Sequence, residues 1–128
     1  MTIHPTSKKA LTLGAILLGL AVLIGAFGAH GLKNIVSADK LVTFETGVRY
    51  HFYHAFGLVF IGLIQQNFQT IKLNVSLYAF LVGILLFSFN CYFYVLSGAK
   101  VFAMVVPLGG VLFALGWFYL TVKLLKLR

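Results

Sequence analysis

The chain has 128 residues, of which 61% are hydrophobic and 9% are charged, and it carries a formal net charge of +8. Soluble domains contain about 25% charged residues, so this composition excludes an ordinary soluble domain and predicts a membrane protein. A chain this short buries too small a share of its own surface to cover so many apolar side chains, and lipid must cover the rest. Most basic residues lie singly or in pairs at the ends of apolar runs, where topology signals lie, so the positive charge does not predict nucleic-acid binding.

Apolar runs along the chain predict an all-helical fold. The runs cover residues 10–28, 41–64, 75–96 and 101–122. Each is close to the ~20 residues with which a helix crosses ~30 Å of hydrocarbon. Because a helix is the one open-ended way to satisfy backbone groups in lipid, we expect an integral membrane four-helix bundle, formed as a single domain by residues 1–128.

The first run also resembles a secretory signal peptide. Lys8 and Lys9 precede it, and the small-residue sequence Ala26-x-Gly28 ends it. Its uncharged stretch, residues 10–28, is longer than the roughly 7–15 residues of a signal core. We therefore expect it to remain as a membrane span.

The distribution of basic residues predicts the orientation. With four spans, the side that holds both termini carries Lys8, Lys9, Lys72, Lys123, Lys126 and Arg128. The opposite side carries only Lys33, Lys40 and Lys100. The excess of Lys and Arg on the first side predicts that both termini are cytoplasmic.

The second run, residues 41–64, contains the ionisable residues that indicate any site. An ionisable group at bilayer depth costs roughly 2.5–3.5 kcal/mol on insertion scales, so it marks a site or a packing device. Glu45 and Arg49 lie one helical turn apart, in the order that favours an ion pair. His51 and His54 fall on a different side of the helix. Both sets cannot face the same neighbour, so we expect one to face the bundle and the other a second protein or the interface.

Counting inward from the span ends places the unusual residues of all four runs at a similar depth. We therefore expect a polar layer, with a binding or a structural role, made of His30, Glu45, Arg49, His51, His54 and Asn90. We favour a structural role in which the Glu45–Arg49 pair holds Asn90 of the third run. We interpret the small residues and the proline near this layer as helix-packing or kink positions: Gly25, Gly28, Pro107, Gly109 and Gly110.

The histidines leave cofactor chemistry open as an alternative. His51 and His54 are spaced so that both could ligate one metal or lie beside one haem. Zinc requires three or four ligands, and only Glu45 and His30 are available to complete a set. We favour hydrogen bonds to neighbouring helices or to lipid headgroups, and we predict no metal and no cofactor. The single cysteine, Cys91, excludes an internal disulfide and a multi-cysteine metal site.

Aromatic residues are dense in the second and third runs. The tyrosines Tyr50, Tyr53, Tyr92 and Tyr94 fit an interfacial belt in part. A flat aromatic pocket for a quinone is a further alternative. We favour ordinary packing and anchoring as the role of these rings.

Four strings carry a family resemblance: GAFGAHGLK (25–33), TGVRYHFYHAFGL (46–58), GILLFS (83–88) and PLGGVLFALGW (107–117). Together they resemble the small bacterial four-span membrane proteins known as domain of unknown function 423, the YgdD-like proteins, which are related to the eukaryotic transmembrane protein 256. The resemblance implies a multi-pass protein of the bacterial inner (plasma) membrane and brings no established activity, substrate or cofactor. Its signature residues map here onto Gly25, Gly28, His30, Gly31, Arg49, His51, His54, Pro107, Gly109 and Gly110.

Three functions fit these observations. We favour a structural or accessory subunit without enzymatic activity, which self-associates or joins a larger membrane complex, because the loops are short and ionisable groups are few. The second is a transporter or channel for a small solute or lipid, gated by the region of Arg49, His51 and His54. The third is a haem- or quinone-linked redox subunit.

Overall fold

In this computed structural model, which describes residues 2–127, every regular element is helical, as the sequence predicts. The elements are α1 (Pro5–His30), a 3-10 turn (Leu32–Asn34), α2 (Ala38–Asn67), α3 (Asn74–Ile84), a π segment (Leu85–Phe89), α4 (Asn90–Ser97) and α5 (Lys100–Leu125). The π segment joins α3 and α4 without a break in the helical run. Three stretches are long and apolar enough to cross a membrane: Pro5–Asn34, Asn74–Ser97 and Lys100–Leu125. They contain the first, third and fourth predicted runs, and α2, which contains the second, is not among these stretches of residues 2–127.

Local sequence explains where several helices begin and end. The His4 side chain caps α1, because its Nδ1 accepts a hydrogen bond from the Thr6 N–H at 3.2 Å. Pro5, the first helical residue, has no N–H that would need a partner there. Between α4 and α5, Gly98 ends α4 with a φ of 73°, the left-handed conformation that glycine adopts without strain.

Helices α1 and α2 run antiparallel and contact each other near both ends. At one end, Ser7 Oγ donates to the Gly62 carbonyl oxygen at 2.7 Å. At the other end, Gly28 packs on the Phe44 ring so closely that a methyl group on Gly28 would lie 2.8 Å from Phe44 Cδ1. Small residues thus bring the two backbones together, as is common between helices in membranes.

Two clusters of buried side chains form the core. The larger cluster lies between α2, α3 and α5, with α1 closing one side, and contains Ala10, Leu58, Ile61, Leu73, Leu77, Phe80, Ile84, Phe113 and Leu120. The smaller cluster contains Leu32, Phe44, Tyr92 and Val95. α2 supplies residues to both clusters and therefore connects them.

The π segment corrects one expectation. Asn90 Nδ2 donates to the Leu85 carbonyl oxygen at 3.0 Å, within its own helical run. Asn90 therefore satisfies a backbone group at the π segment instead of contacting the Glu45–Arg49 pair, as we had expected. Pro107 lies inside α5, and the helical run continues on both sides of it.

Candidate functional site

The two histidines of α2 point into the bundle and are buried, with exposed fractions of 0% for His51 and 4% for His54. α2 contacts α1, α3, the π segment and α4. These neighbours shield His51, His54 and Gln65 of α2 from the surroundings. This explains how a helix with several polar residues lies among more apolar ones.

His54 connects α2 to α5. Its Nδ1 lies 2.8 Å from the Tyr50 carbonyl oxygen, and because a carbonyl only accepts, we assign the ring proton to Nδ1. Nε2 then accepts a hydrogen bond from Trp117 Nε1 at 3.1 Å. The imidazole also stacks on the Phe113 ring, with centroids 3.4 Å apart and planes inclined by 7°. Both ring nitrogens and one ring face are therefore occupied by the protein itself.

His51 connects α2 to α4. Its Nδ1 lies 3.1 Å from the Tyr92 hydroxyl, and the Phe89 ring meets the imidazole edge to face at 5.6 Å between centroids. Its Nε2 reaches hydrogen-bond geometry with no residue that the structure describes. Tyr92, which we had grouped with the interfacial tyrosines, is buried as the partner of His51.

Glu45 and Arg49 lie on the outside of the bundle, and both are exposed. Arg49 Nη2 donates to Thr46 Oγ1 at 3.0 Å. Across residues 2–127, no ion pair joins Arg49 to Glu45. His30, at the end of α1, is also exposed. The residues expected to form one polar layer therefore separate into buried histidines and an outward-facing charged pair.

The charged pair borders a groove between α1 and α2, which we call the α1/α2 groove. It has a volume of about 290 Å³ and is lined by Gly25, Gly28, Ala29, Phe44, Glu45, Val48 and Arg49. Small residues form its α1 wall, and the charged side chains lie on its α2 wall. The sequence indicated the small residues and the charges separately, and the structure brings them to one surface.

The chemistry available to these residues follows from their contacts. Within residues 2–127, no three His, Cys, Asp or Glu side chains are grouped so that they could hold a metal ion. A metal or haem iron at His54 would have to displace the Trp117 indole or the Tyr50 carbonyl. Cys91 is buried beside the Gly47 backbone. The arrangement provides hydrogen bonds between helices and one charged outer surface.

Sequence reasoning missed the partners of the buried polar side chains. Trp117 donates to His54, although nothing in the sequence pairs these two residues. Gln65 is buried and joins the end of α2 to the following loop: it donates to the Ile71 carbonyl at 2.7 Å and accepts from the Leu73 N–H at 3.1 Å. A polar atom in an apolar run needs a partner, and this rule predicts that partners exist without identifying them.

Comparison with known proteins agrees with the resemblance seen in the sequence. The family described as "Protein of unknown function (DUF423)" matches residues 24–110. A UPF0382 membrane protein of Staphylococcus epidermidis is 38% identical over 119 residues, which cover 93% of this chain and 97% of that protein. The UPF0382 membrane protein YwdK of Bacillus subtilis is 36% identical over 120 residues, with coverages of 93% and 98%. No solved structure matches the chain. The chain therefore belongs to the DUF423 family, whose relatives named here are membrane proteins, and the predicted family is confirmed.

Proposed function

We propose that this protein is a non-enzymatic, multi-pass protein of the bacterial inner membrane, which acts as a structural or accessory subunit by self-association or by joining a larger membrane complex. One observation carries this proposal. Glu45 and Arg49 face outward beside the α1/α2 groove, and no ion pair within residues 2–127 neutralises them. In lipid, a charge requires a partner or access to water, so the pair favours contact with another protein.

The inner polar side chains support a structural role. His51 bonds to Tyr92, and His54 bonds to Trp117, so each histidine ties α2 to another helix. An enzyme or a carrier needs groups that are free to engage a substrate in a cavity. Here the histidines lie inside the packed core, and their hydrogen bonds join parts of the protein.

The outer surface supports a location within lipid. On α5, large apolar side chains recur every three or four residues on the exposed side: Met104, Leu108, Val111, Leu115 and Phe118 are each between 56% and 76% exposed. An apolar stripe of this length needs a cover of lipid or of another protein. The apolar stretches of α1 and of the α3–α4 run add to the same argument.

The packing of α2 supports a fourth span. Ser7 contacts Gly62 at one end of the α1–α2 pair, and Gly28 contacts Phe44 at the other. If α1 crosses the membrane, α2 crosses beside it, with His51 and His54 turned into the bundle. The termini then lie on the side with more basic residues, which is the cytoplasmic side.

The proposal is tested by purification in mild detergent and reconstitution into nanodiscs, followed by native mass spectrometry. We expect particles larger than the 14.1 kDa monomer, or particles that carry a second protein. Specific association persists when the lipid-to-protein ratio is raised, whereas association that is caused only by crowding is lost. A particle that stays monomeric and brings no partner from the native membrane would contradict the proposal.

A further inference from the structure

We propose that the α1/α2 groove is the contact surface for a second copy of this chain, in which Glu45 of each copy pairs with Arg49 of the other. The inference rests on the proposed function and specifies its partner, its surface and its chemistry. It is carried by the depth of the charges, the shape of the groove and the self-complementary order of the pair.

The depth of the charges requires a partner. Arg49 lies eleven positions after Ala38, the first residue of α2, which is about 16 Å along the helix axis. Glu45 lies one turn nearer the helix start. Thr46 Oγ1 accepts one hydrogen bond from Arg49, and a guanidinium has five N–H donors. In the proposed topology, with α2 as a span, a carboxylate and a guanidinium facing hydrocarbon at this distance from the helix start are unfavourable, and oppositely charged groups of another chain relieve both at once.

The shape of the groove admits a neighbouring helix. On the α1 side the groove is lined by Gly25, Gly28 and Ala29, of which Gly28 is covered by the Phe44 ring, and Val48 lines it on the α2 side. Gly25 and Ala29 form the small-xxx-small pattern that lets helix backbones approach closely in lipid. No α1 side chain that lines the groove is larger than a methyl group.

The order of the charges fits a second copy. In a two-fold dimer, the same surface serves on both sides, so it must be complementary to itself. One negative and one positive group, one turn apart, meet this requirement: two reciprocal Glu45–Arg49 pairs neutralise all four charges. Glu45 of one copy and Arg49 of the other are then offset by about 6 Å along the helix axis, or about one turn. Long side chains bridge such an offset between parallel helices, as the charged residues at the e and g positions of coiled coils do.

Other occupants fit less well. An anionic lipid headgroup would pair with Arg49 but would face the Glu45 carboxylate. The chain contains only two acidic residues, Asp39 and Glu45, and Asp39 lies ten positions from Arg49, near the start of α2. Glu45 is therefore the carboxylate that a second copy offers to Arg49 at matching depth.

The test uses charge reversal in trans. Two differently tagged copies are co-expressed, reconstituted in liposomes of phosphatidylcholine alone, and scored by energy transfer between the tags and by co-purification. We expect association of wild-type copies to fall at least tenfold when both carry Glu45→Arg, or when both carry Arg49→Glu, because each dimer then brings like charges together. Co-expression of a Glu45→Arg copy with an Arg49→Glu copy restores association, because one copy then supplies both positive groups and the other both negative groups.

Two further variants separate the interface from local effects. Lys100→Glu reverses a charge at the start of α5, away from the groove, and leaves association unchanged. The charge swap Glu45→Arg/Arg49→Glu within one chain restores association of that variant with itself. If a single reversal fails to fold, as judged by circular dichroism, Glu45→Gln and Arg49→Gln take its place and weaken association several-fold.

Several results would overturn the inference. This groove is excluded as the interface if association persists when both copies carry the same reversal, or if it is not restored in the mixed pair. Continued association through another surface then leaves the proposed function intact. Association that appears only when phosphatidylglycerol is added identifies a lipid headgroup as the partner of Arg49. Wild-type copies that never associate overturn the inference, and the recovery of a different partner from native membranes then decides whether the proposed function stands.

Discussion

His54 shows how a single polar side chain is accommodated inside an apolar bundle. Its Nδ1 donates to the Tyr50 carbonyl, its Nε2 accepts from Trp117, and its ring stacks on Phe113. Each contact compensates for the removal of the imidazole from water, since a buried polar group without a partner is costly. The residue therefore stabilises the contact between α2 and α5 and requires no ligand to explain it.

We expect His54→Phe to lower the free energy of unfolding by about 1–2 kcal/mol, because the phenyl ring keeps the stacking area but leaves the Trp117 N–H without its acceptor. Trp117 is the only tryptophan, so its fluorescence reports this site directly. Loss of the hydrogen bond shifts its emission to shorter wavelengths. Unfolding in detergent, followed by circular dichroism and by tryptophan emission, measures both effects.

The matched control for this prediction is His30→Phe. His30 lies at the end of α1 and is exposed, so its replacement leaves the stability and the Trp117 emission close to those of the parent protein. An unchanged emission spectrum in His54→Phe would show that the indole does not donate to His54.

At the scale of elements, α5 packs against α3 and the π segment through one member of a glycine pair. A methyl group on Gly109 would lie 2.7 Å from Phe87 Cβ and 2.9 Å from the Gly83 carbonyl oxygen. A methyl group on the adjacent Gly110 would come no closer than 3.8 Å to the Phe87 ring. The first position is closed by backbone on the facing helix, and the second is open.

The two glycines therefore predict opposite outcomes. We expect Gly109→Ala to destabilise the protein by about 1–3 kcal/mol, because the helices must separate to admit the methyl group. Gly110→Ala is neutral or stabilises the protein by up to about 1 kcal/mol, because alanine has the higher helix propensity. Equilibrium unfolding in detergent measures both, and equal effects of the two substitutions would contradict the close approach seen at Gly109.

The sequence predicted the elements more completely than their internal details. The predicted run 41–64 lies within α2, and the run 75–96 lies within the continuous stretch Asn74–Ser97. The π segment Leu85–Phe89 was not predicted, because the run around it is mostly apolar on every side, so an extra residue in one turn does not show in the sequence. In the structure, the Asn90 side chain donates to the carbonyl of Leu85, the first residue of this segment.

At the scale of the whole molecule, the antiparallel packing gathers basic residues at one end. The start of α1, the loop between α2 and α3, and the end of α5 carry Lys8, Lys9, Lys72, Lys123 and Lys126. Contacts across this end include the hydrogen bond from Lys9 Nζ to the Tyr78 hydroxyl at 3.0 Å. The opposite end carries fewer basic residues and both acidic ones, so the charge distribution predicts one orientation in the membrane.

Reporter fusions test this orientation. We expect a C-terminal green fluorescent protein to fluoresce and a C-terminal alkaline phosphatase to be inactive, because the distribution of basic residues predicts a cytoplasmic C-terminus. Phosphatase inserted after Ser37, between α1 and α2, is active, and phosphatase inserted after Thr70, between α2 and α3, is inactive. Active phosphatase at the C-terminus would reverse the orientation, and active phosphatase at both loops would remove α2 as a span.

Composition and run length alone predicted a helical membrane protein. The helix follows because it satisfies its backbone hydrogen bonds locally, and the membrane location follows because the apolar content of the chain is too high for its own core to cover. The inward direction of His51 and His54 could not be predicted, since both faces of α2 carry polar residues at comparable depth. Their partners, Tyr92 and Trp117, lie 41 and 63 positions further along the chain, and only packing of the helices brings them together. The same packing leaves Glu45 and Arg49 outside, because the faces of α2 that pack against α1, α3 and α4 are filled by other side chains.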